Sequence, residues 1–382
     1  MRWLALLCLW AGVCSAQQNP IIKTVKPAGG GDFTTLQAWE DWADDQTSGY
    51  QWAECYVGEL GNTIITGWAT PPTADRYARV YAPTAQRYSG VGTPDAFYGA
   101  CFYVRSGVRP LRIENVAYVR LEGLFVRHAG GRTTIDVYVT QPVGFQMTSC
   151  MIVYSNGGVY SSPPGAQVYL GLSSIGYAGN RQFPTVIANN MFVGKSAYNP
   201  VYNSRTSGQG IRAYLNGSNS LVVANNSFCG MGSYGCVVYL LNSTGKVVCV
   251  NNYSGSCVTD YGLLNPPAGS TNHQVTFNYN ISSDATATNL SRVYGGAGCA
   301  SGVLATNVFV NPVRNWRLLP TAPIVDIGTM ACCSMDMWKP STWRPRGYGI
   351  DIGAQEQTNK PSVANFESMF NFPDVGEAVY FP

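Results

Sequence analysis

The chain has 382 residues, a net charge of +3 and 12% charged residues, about half the charged share of an ordinary globular protein. So neutral a chain, with no basic run, is a poor partner for nucleic acid. Its 46% apolar content excludes a disordered composition, because enough apolar surface is present to fill a core.

Residues 1–16, MRWLALLCLWAGVCSA, place one Arg before an apolar run from Trp3 to Val13 and then small residues. That is the pattern of a secretory signal peptide, and the run is shorter than the roughly 20 apolar residues of a membrane span. The expectation is a soluble, exported mature chain starting at Gln17, with no membrane span. Cysteines then stand at 55, 101, 150, 229, 236, 249, 257, 299, 332 and 333. An even set in an exported chain favours disulfides, and none has the C-x-x-C spacing of a zinc site. Short separations make Cys229–Cys236 and Cys249–Cys257 the expected pairs, Cys55–Cys101 and Cys299 with Cys332 or Cys333 weaker ones, and Cys150 a buried free thiol.

Residues 17–60 read as an N-terminal cap. Within AGGGDFTTLQAWEDW, Thr34-x-x-Gln37 is a capping-box pattern, after which Leu36, Trp39 and Ala43 share one helical face. The Gly run lacks the Gly-Lys-Ser/Thr of a phosphate loop. Asp41, Asp44 and Asp45 are read as the solvated end of this helix, with metal ligation as the rival role.

Residues 61–356 carry a repeat. LVVANNSFCG (221–230) echoes TVIANNMFVG (185–194), and weaker copies follow at 247–256, 275–284 and 303–312, with degenerate ones at 119–128 and 145–154. Central positions fall at 123, 150, 190, 226, 252, 280 and 307, most of them about 27 residues apart, the signature of a solenoid or array. Each unit holds short Val/Ile/Tyr strands rather than a helical stripe, and the unit is too short for a propeller blade of about 40 residues. It fits one coil of a parallel β-helix, with Asn stacked on Asn as an amide ladder whose polar groups satisfy one another. Asn216 and Asn242 precede their Asn pairs by the same distance and are expected at stacked corners. Residues 357–382 lose the pattern and read as a tail or cap.

The start KTVKPAGGGDFTTLQAWEDW, the Asn-pair coils and the finish NWRLLPTAPIVDIG…GYGIDIGAQE resemble right-handed parallel β-helix proteins of the pectate-lyase-like superfamily, whose secreted and phage-related members close on a similar DIGAYE ending. The resemblance implies an all-β, right-handed parallel β-helix solenoid with an N-terminal capping helix. It is nearly silent on function, since such folds host lyases, hydrolases, adhesins and viral fibres. Lyases of this kind combine calcium-binding carboxylates with a Lys or Arg base, and the hydrolases use paired Asp.

Both chemistries need acids on the coils, yet from Val137 to Thr259 there is no Asp or Glu. The best enzymatic cluster is Arg112-x-Glu114 with Arg120-x-Glu122, near Arg127 and His128. The rival reading is cross-strand ion pairs. His128 and His273 lack a nucleophile pattern. The central coils instead offer Tyr138, Tyr154, Tyr160, Tyr169, Tyr198, Tyr202, Tyr214 and Tyr239, with Arg181, Lys195, Arg205, Arg212 and Lys246. These tyrosines suit sugar stacking or a protein interface, or are half-buried strand residues in stacks. N-x-S/T sequons occur at 216, 225, 242, 252, 280 and 289, with Asn216 and Asn242 the best glycosylation acceptors.

The resulting expectation is an exported, non-catalytic surface, fibre or adhesion component, without metal or cofactor, that binds a polysaccharide or cell-surface glycan or copies of itself. The alternatives are a calcium-dependent polysaccharide lyase using the 112–128 cluster and a virion tail fibre or spike.

Overall fold

The computed structural model describes residues 19–47, 50–88, 99–104, 110–128, 135–140, 143–154, 166–172, 184–194, 208–217, 219–243, 246–264, 274–312, 315–329 and 351–355. The expected signal peptide, the tail at 357–382, Cys332, Cys333 and His273 lie outside them.

The strands form three long parallel sheets, each visited once per coil, so that after the first two strands, which pair with each other, every third strand is a neighbour. Wall A has nine strands from Ile21–Val25 to Gln274–Asn278, wall B eight from Gly58–Glu59 to Ile281–Ser282, and wall C seven from Thr63–Ile65 to Thr259–Leu264. One coil shows the logic. Leu221–Ala224 runs in wall A, Ser227–Cys229 in wall B and Tyr234–Ser243 in wall C. Each strand pairs in parallel with its counterpart one coil on, Lys246–Val250, Tyr253–Gly255 and Thr259–Leu264. The architecture is an all-β parallel solenoid.

The recurring Asn pair is the turn from wall A to wall B. Its first residue has positive φ: Gly123 (67°), Ser149 (54°), Asn189 (56°), Asn225 (52°), Asn251 (55°) and Tyr279 (52°). That left-handed region is open mainly to Gly and Asn. The second residue points inward, and Asn190, Asn226, Asn252 and Asn280 form the expected ladder. Asn190 Nδ2 donates to Asn226 Oδ1 (3.0 Å), Asn226 Nδ2 to Asn252 Oδ1 (3.0 Å) and Asn252 Nδ2 to Asn280 Oδ1 (2.9 Å). Each Oδ1 also accepts the backbone N–H of the preceding rung, and each Nδ2 donates to a carbonyl of the coil before. The column runs on to Cys150, and at its other end Asn280 N–H meets Cys299 Sγ at 3.4 Å.

Two register positions differ from the sequence reading. The residue aligned with Cys150 is Leu124, not Gly123, because Glu122 pairs with Thr148 and Phe125 with Met151. Asn307 stands outside the column, in a short 3-10 turn at Ala305–Asn307, after which Phe309–Asn311 pairs antiparallel with Asn315–Leu318.

Alternate residues of each strand fill one continuous interior, from Leu36, Trp39 and Ala43 through Phe102, Ile152, Phe192 and Phe228 to Phe277 and Ala287. The Phe192 and Phe228 rings stack at 4.8 Å. A fully buried side chain of this size contributes about 1.5–3 kcal/mol. Helix α1 (Leu36–Asp44) presents its apolar face to the first coil, but Thr35 rather than Thr34 caps it, its Oγ1 accepting from Ala38 N–H at 3.2 Å. Gln37 reaches the solenoid instead, accepting from Ile64 N–H at 2.8 Å. A second helix, α2 (Thr286–Tyr294), packs on the last coil and ends at Gly295 (φ 68°).

The segment after the last coil folds back along the outside of wall B. Val308, Phe309, Trp316, Leu318, Ile324, Ile352 and Ala354 bury Phe125, Met151, Met191, Cys229 and Tyr253 in a second apolar cluster. Gly353 N–H donates to Asn251 O (2.8 Å) and Ala354 N–H to Ser227 Oγ (3.1 Å), which docks Gly353 and Ala354 on the ladder turn and its wall B strand.

This second cluster corrects the disulfide expectations. Cys229 lies in it, outside wall B, while Cys236 faces the interior. Cys249 is interior, and its thiol neighbours are Cys236 and Cys299 rather than Cys257, which sits beside Ser254 at 3.5 Å. Cys55 and Cys101 are likewise in different clusters. All eight described cysteines are free thiols, because sequence proximity at a corner does not keep two side chains on one face of the sheet.

Candidate functional site

The 112–128 cluster is dispersed over three walls. Arg112 and Glu114 sit on wall C, where the guanidinium binds the carboxylate at 3.0 Å through Nε and 2.5 Å through Nη2. Arg120 and Glu122 sit on wall A, whereas Arg127 and His128 belong to the wall B strand Phe125–His128. Pairs two residues apart do share a strand face, as alternation requires. Successive pairs do not share a surface, because each lies on a different side of the coil.

Arg120 does have neighbours, and they come from coils above it. Trp52, Arg79 and Arg120 occupy one register column of wall A, and Glu54, Tyr81 and Glu122 the next. Arg79 Cζ lies 4.6 Å from the Trp52 ring centre and 4.3 Å from that of Tyr81. Trp52 stacks on Tyr77 at 5.7 Å, and Arg120 Cζ lies 3.3 Å over Tyr77. The result is a mixed cation–aromatic stack, Arg120–Tyr77–Trp52–Arg79–Tyr81, of a kind that is worth most when partly desolvated.

Its acids are occupied. Glu122 binds both Arg79 and Arg87, and these two cations hold its carboxyl below the usual range even though burial, the largest influence, opposes them. Glu54 accepts from Tyr56 Oη (2.5 Å) and Tyr81 Oη (2.6 Å). Burial, followed by the bond to Glu54, pushes the Tyr81 hydroxyl well above its ordinary value. Burial also lowers Arg120, with Arg79 beside it acting in the same direction.

Wall C carries a tyrosine ladder on its outer face. Tyr138–Tyr169, Tyr169–Tyr214 and Tyr214–Tyr239 have centroid separations of 5.3, 5.6 and 4.6 Å. Tyr169 and Tyr214 come from neighbouring columns and meet across Gly171, where a Cβ would already touch the Tyr169 ring at 3.4 Å. The ring faces turn towards one another, so the ladder offers ring edges and hydroxyls rather than broad stacking faces. Tyr160, Tyr198, Tyr202, Arg181, Lys195 and Arg205 lie outside the described residues.

Asn216 pairs with Leu241 and Gly217 with Ser243 across a bulge, so Asn216 and Asn242 are offset by one residue. Their side chains fall outside the described set. Of the cap acids, Asp41 accepts from Gln37 Nε2 at 2.7 Å. Among the described residues no three potential metal ligands come together.

Sequence reasoning missed the buried acids Glu40, Asp351 and, just past the acid-free stretch, Asp260. Asp260 is fully buried. Its Oδ1 accepts from Ser254 Oγ (2.8 Å), and its Oδ2 from Ser283 N–H (2.6 Å), Ser283 Oγ (2.8 Å) and Asp284 N–H (3.0 Å). Burial, then the nearby Asp284 charge, raises it to about 6. Asp284 in turn accepts from Asp260 N–H and from Thr286 at the start of α2. These bonds tie the last coil to α2, which is a structural task.

Searches against protein-family models, curated proteins and solved structures return no match.

Proposed function

We propose that the chain is an exported, non-catalytic right-handed parallel β-helix of the pectate-lyase-like kind, with α1 as its N-terminal cap. It serves as a surface, fibre or adhesion component that binds a polysaccharide or cell-surface glycan or associates with itself. The observation that carries this reading is the absence of Asp and Glu from Val137 to Thr259, the stretch that builds the middle coils of all three walls. Glycosidic cleavage needs paired carboxyl groups and calcium needs oxygen ligands, so this shaft lacks the usual means of both.

The carboxylates near the first coils support the same reading. Glu114 is held by Arg112, Glu122 by Arg79 and Arg87, and Glu54 by two tyrosine hydroxyls. A lyase built on Arg120 would have to break these pairings to free a calcium ligand.

The test is to incubate the protein with pectate, alginate, glycosaminoglycans and neutral glycans, with and without calcium, while following unsaturated products and reducing ends. No turnover with retained binding is expected. Turnover abolished by Arg120→Ala or Glu122→Ala would replace this reading with a lyase at the first coils. Turnover abolished by Arg212→Ala instead would place chemistry on wall C.

A further inference from the structure

Both ends of wall C are closed by side chains. At the first coil, Gln37 and Glu40 of α1 accept the N–H groups of Ile64 (2.8 Å) and Thr66 (2.9 Å). At the last, Asp284 and Thr286 accept those of Asp260 (3.0 Å) and Tyr261 (3.1 Å). These acceptors stand where a further strand would pair, which blocks end-to-end joining of copies along this wall. The outer face is different. In one register column Arg112, Tyr138, Tyr169, Arg212, Val237 and Gly262 follow one another. In the next, Thr140 precedes Gly171, Tyr214, Tyr239 and Leu264. The four ladder tyrosines and Arg212 all keep part of their surface in solvent.

We infer that this face binds the same face of a second copy of the chain, about a two-fold axis lying parallel to the strands between the Tyr169 and Arg212 rungs. The inference rests on the self-association reading above and names its partner and its surface. Such an axis keeps the columns and inverts the order of the rungs. Tyr169 then faces the second copy's Arg212, Tyr138 its Val237, Tyr214 its Gly171 and Tyr239 its Thr140. No ring opposes a ring, and no charge opposes its like. Moving the axis onto either central rung would set Tyr169 on Tyr169 or Arg212 on Arg212. Arg212, whose Nε lacks a hydrogen-bond partner among the described residues and whose Cζ lies 5.9 Å from the Tyr239 ring centre, gains a second ring. The Arg112–Glu114 ion pair falls at the rim, around a centre of Tyr and Arg, the residue types that dominate interface energies. Six rungs by the nine residues of Gln209–Gly217 span about 24 Å by 30 Å, on the order of 1,400 Å² for the pair, within the range of stable interfaces.

The experiment is sedimentation equilibrium of the full chain over a dilution series. A monomer–dimer equilibrium is expected, and Tyr214→Glu, which sets a charge at the centre of the face, is expected to weaken it about tenfold or more. The register is read with the double variant Thr140→Cys/Tyr239→Cys treated with oxidised glutathione, one glutathione disulfide being reduced to two thiols for each bridge formed. Within one chain positions 140 and 239 are three rungs, about 14 Å, apart, too far for a disulfide. Across the two-fold they face each other, so a covalent dimer is expected from the double variant and from neither single one.

A wild-type monomer at every concentration overturns the interface. If that monomer binds short neutral galactan and Tyr214→Glu releases it, a sugar takes the face and the adhesion reading stands, whereas a monomer that binds no glycan counts against both. A dimer that survives Tyr214→Glu, or that the cysteine pair fails to link, overturns this face as its seat. Should Tyr214→Glu not fold, the cysteine pair alone decides.

Discussion

Asn226 Nδ2 donates to Asn252 Oδ1 at 3.0 Å across successive coils, and the same oxygen accepts Asn226 N–H at 3.0 Å. One amide therefore closes two bonds to the rung before it, while its own Nδ2 donates to Asn280 Oδ1 at 2.9 Å and to Val223 O at 2.8 Å. Removing it orphans several buried groups at once, and each costs about 1–3 kcal/mol. Asn252→Ala is expected to destabilise the fold by about 3 kcal/mol or more, measured as the shift of the urea midpoint at constant slope. A change under about 1 kcal/mol would mean that the ladder is ornamental to stability.

The first residue of the pair obeys a different rule. Asn225 holds φ 52°, and both polar atoms of its buried amide lack a hydrogen-bond partner. Gly accepts this backbone without strain, as Gly123 does at the equivalent turn. Asn225→Gly is expected to stay within about 1 kcal/mol of wild type, while Asn225→Ala loses about 1–2 kcal/mol. Chemical unfolding of the two variants side by side checks the contrast, and equal losses would refute it.

Asp260 gives a pH signature. Its folded value, about 6, lies above the roughly 3.9 of an unfolded Asp. The fold thus favours the neutral acid, and this contribution is fully present below about pH 4 and lost as pH rises through 6. Integrated over that shift, it amounts to about 3 kcal/mol. Asp32, held near 2 by Thr24 N–H and then by Lys23, acts below pH 4, outside this window. Asp260→Asn keeps an acceptor for Ser283 and Asp284 and places its amide N–H towards Ser254 Oγ, which can turn to accept. Thermal unfolding between pH 4 and 7 should be flatter in Asp260→Asn than in wild type. Parallel curves would remove Asp260 as the source.

For the thiols, the expectation is inertness. Burial pushes Cys55 far above its ordinary value, and Cys101, Cys150, Cys229 and Cys249 up to about 12, whereas the thiolate is the reactive form. Native protein should resist alkylation at these residues until denatured. Non-reducing peptide maps should show Cys229 unlinked to Cys236 and Cys249 unlinked to Cys257, and a bridged peptide of either kind would contradict the packing described.

The sequence showed the solenoid because one turn type, with an αL residue followed by an inward amide, writes the same letters on every coil. Where Gly123 and Leu124 replace the pair, the letters no longer mark which residue turns inward, and the register slipped by one. The wall A stack was hidden for a related reason. Trp52, Arg79 and Arg120 are spaced like successive repeats, but the coils that carry them lack the Asn pair, and nothing local links them. The return of residues 308–312, 315–329 and 351–355 over wall B was illegible because a strand buried on both faces looks the same whatever covers it. That same ambiguity made Cys229 look like a corner partner of Cys236.

Size-exclusion chromatography with light scattering, on the protein mixed with an acidic polysaccharide, most directly tests the claim that this is a binding shaft and not an enzyme. A stable complex is predicted, from which the glycan is recovered at its original chain length and without unsaturated ends. Shortened glycan, or no complex with any glycan and no self-association, would contradict it.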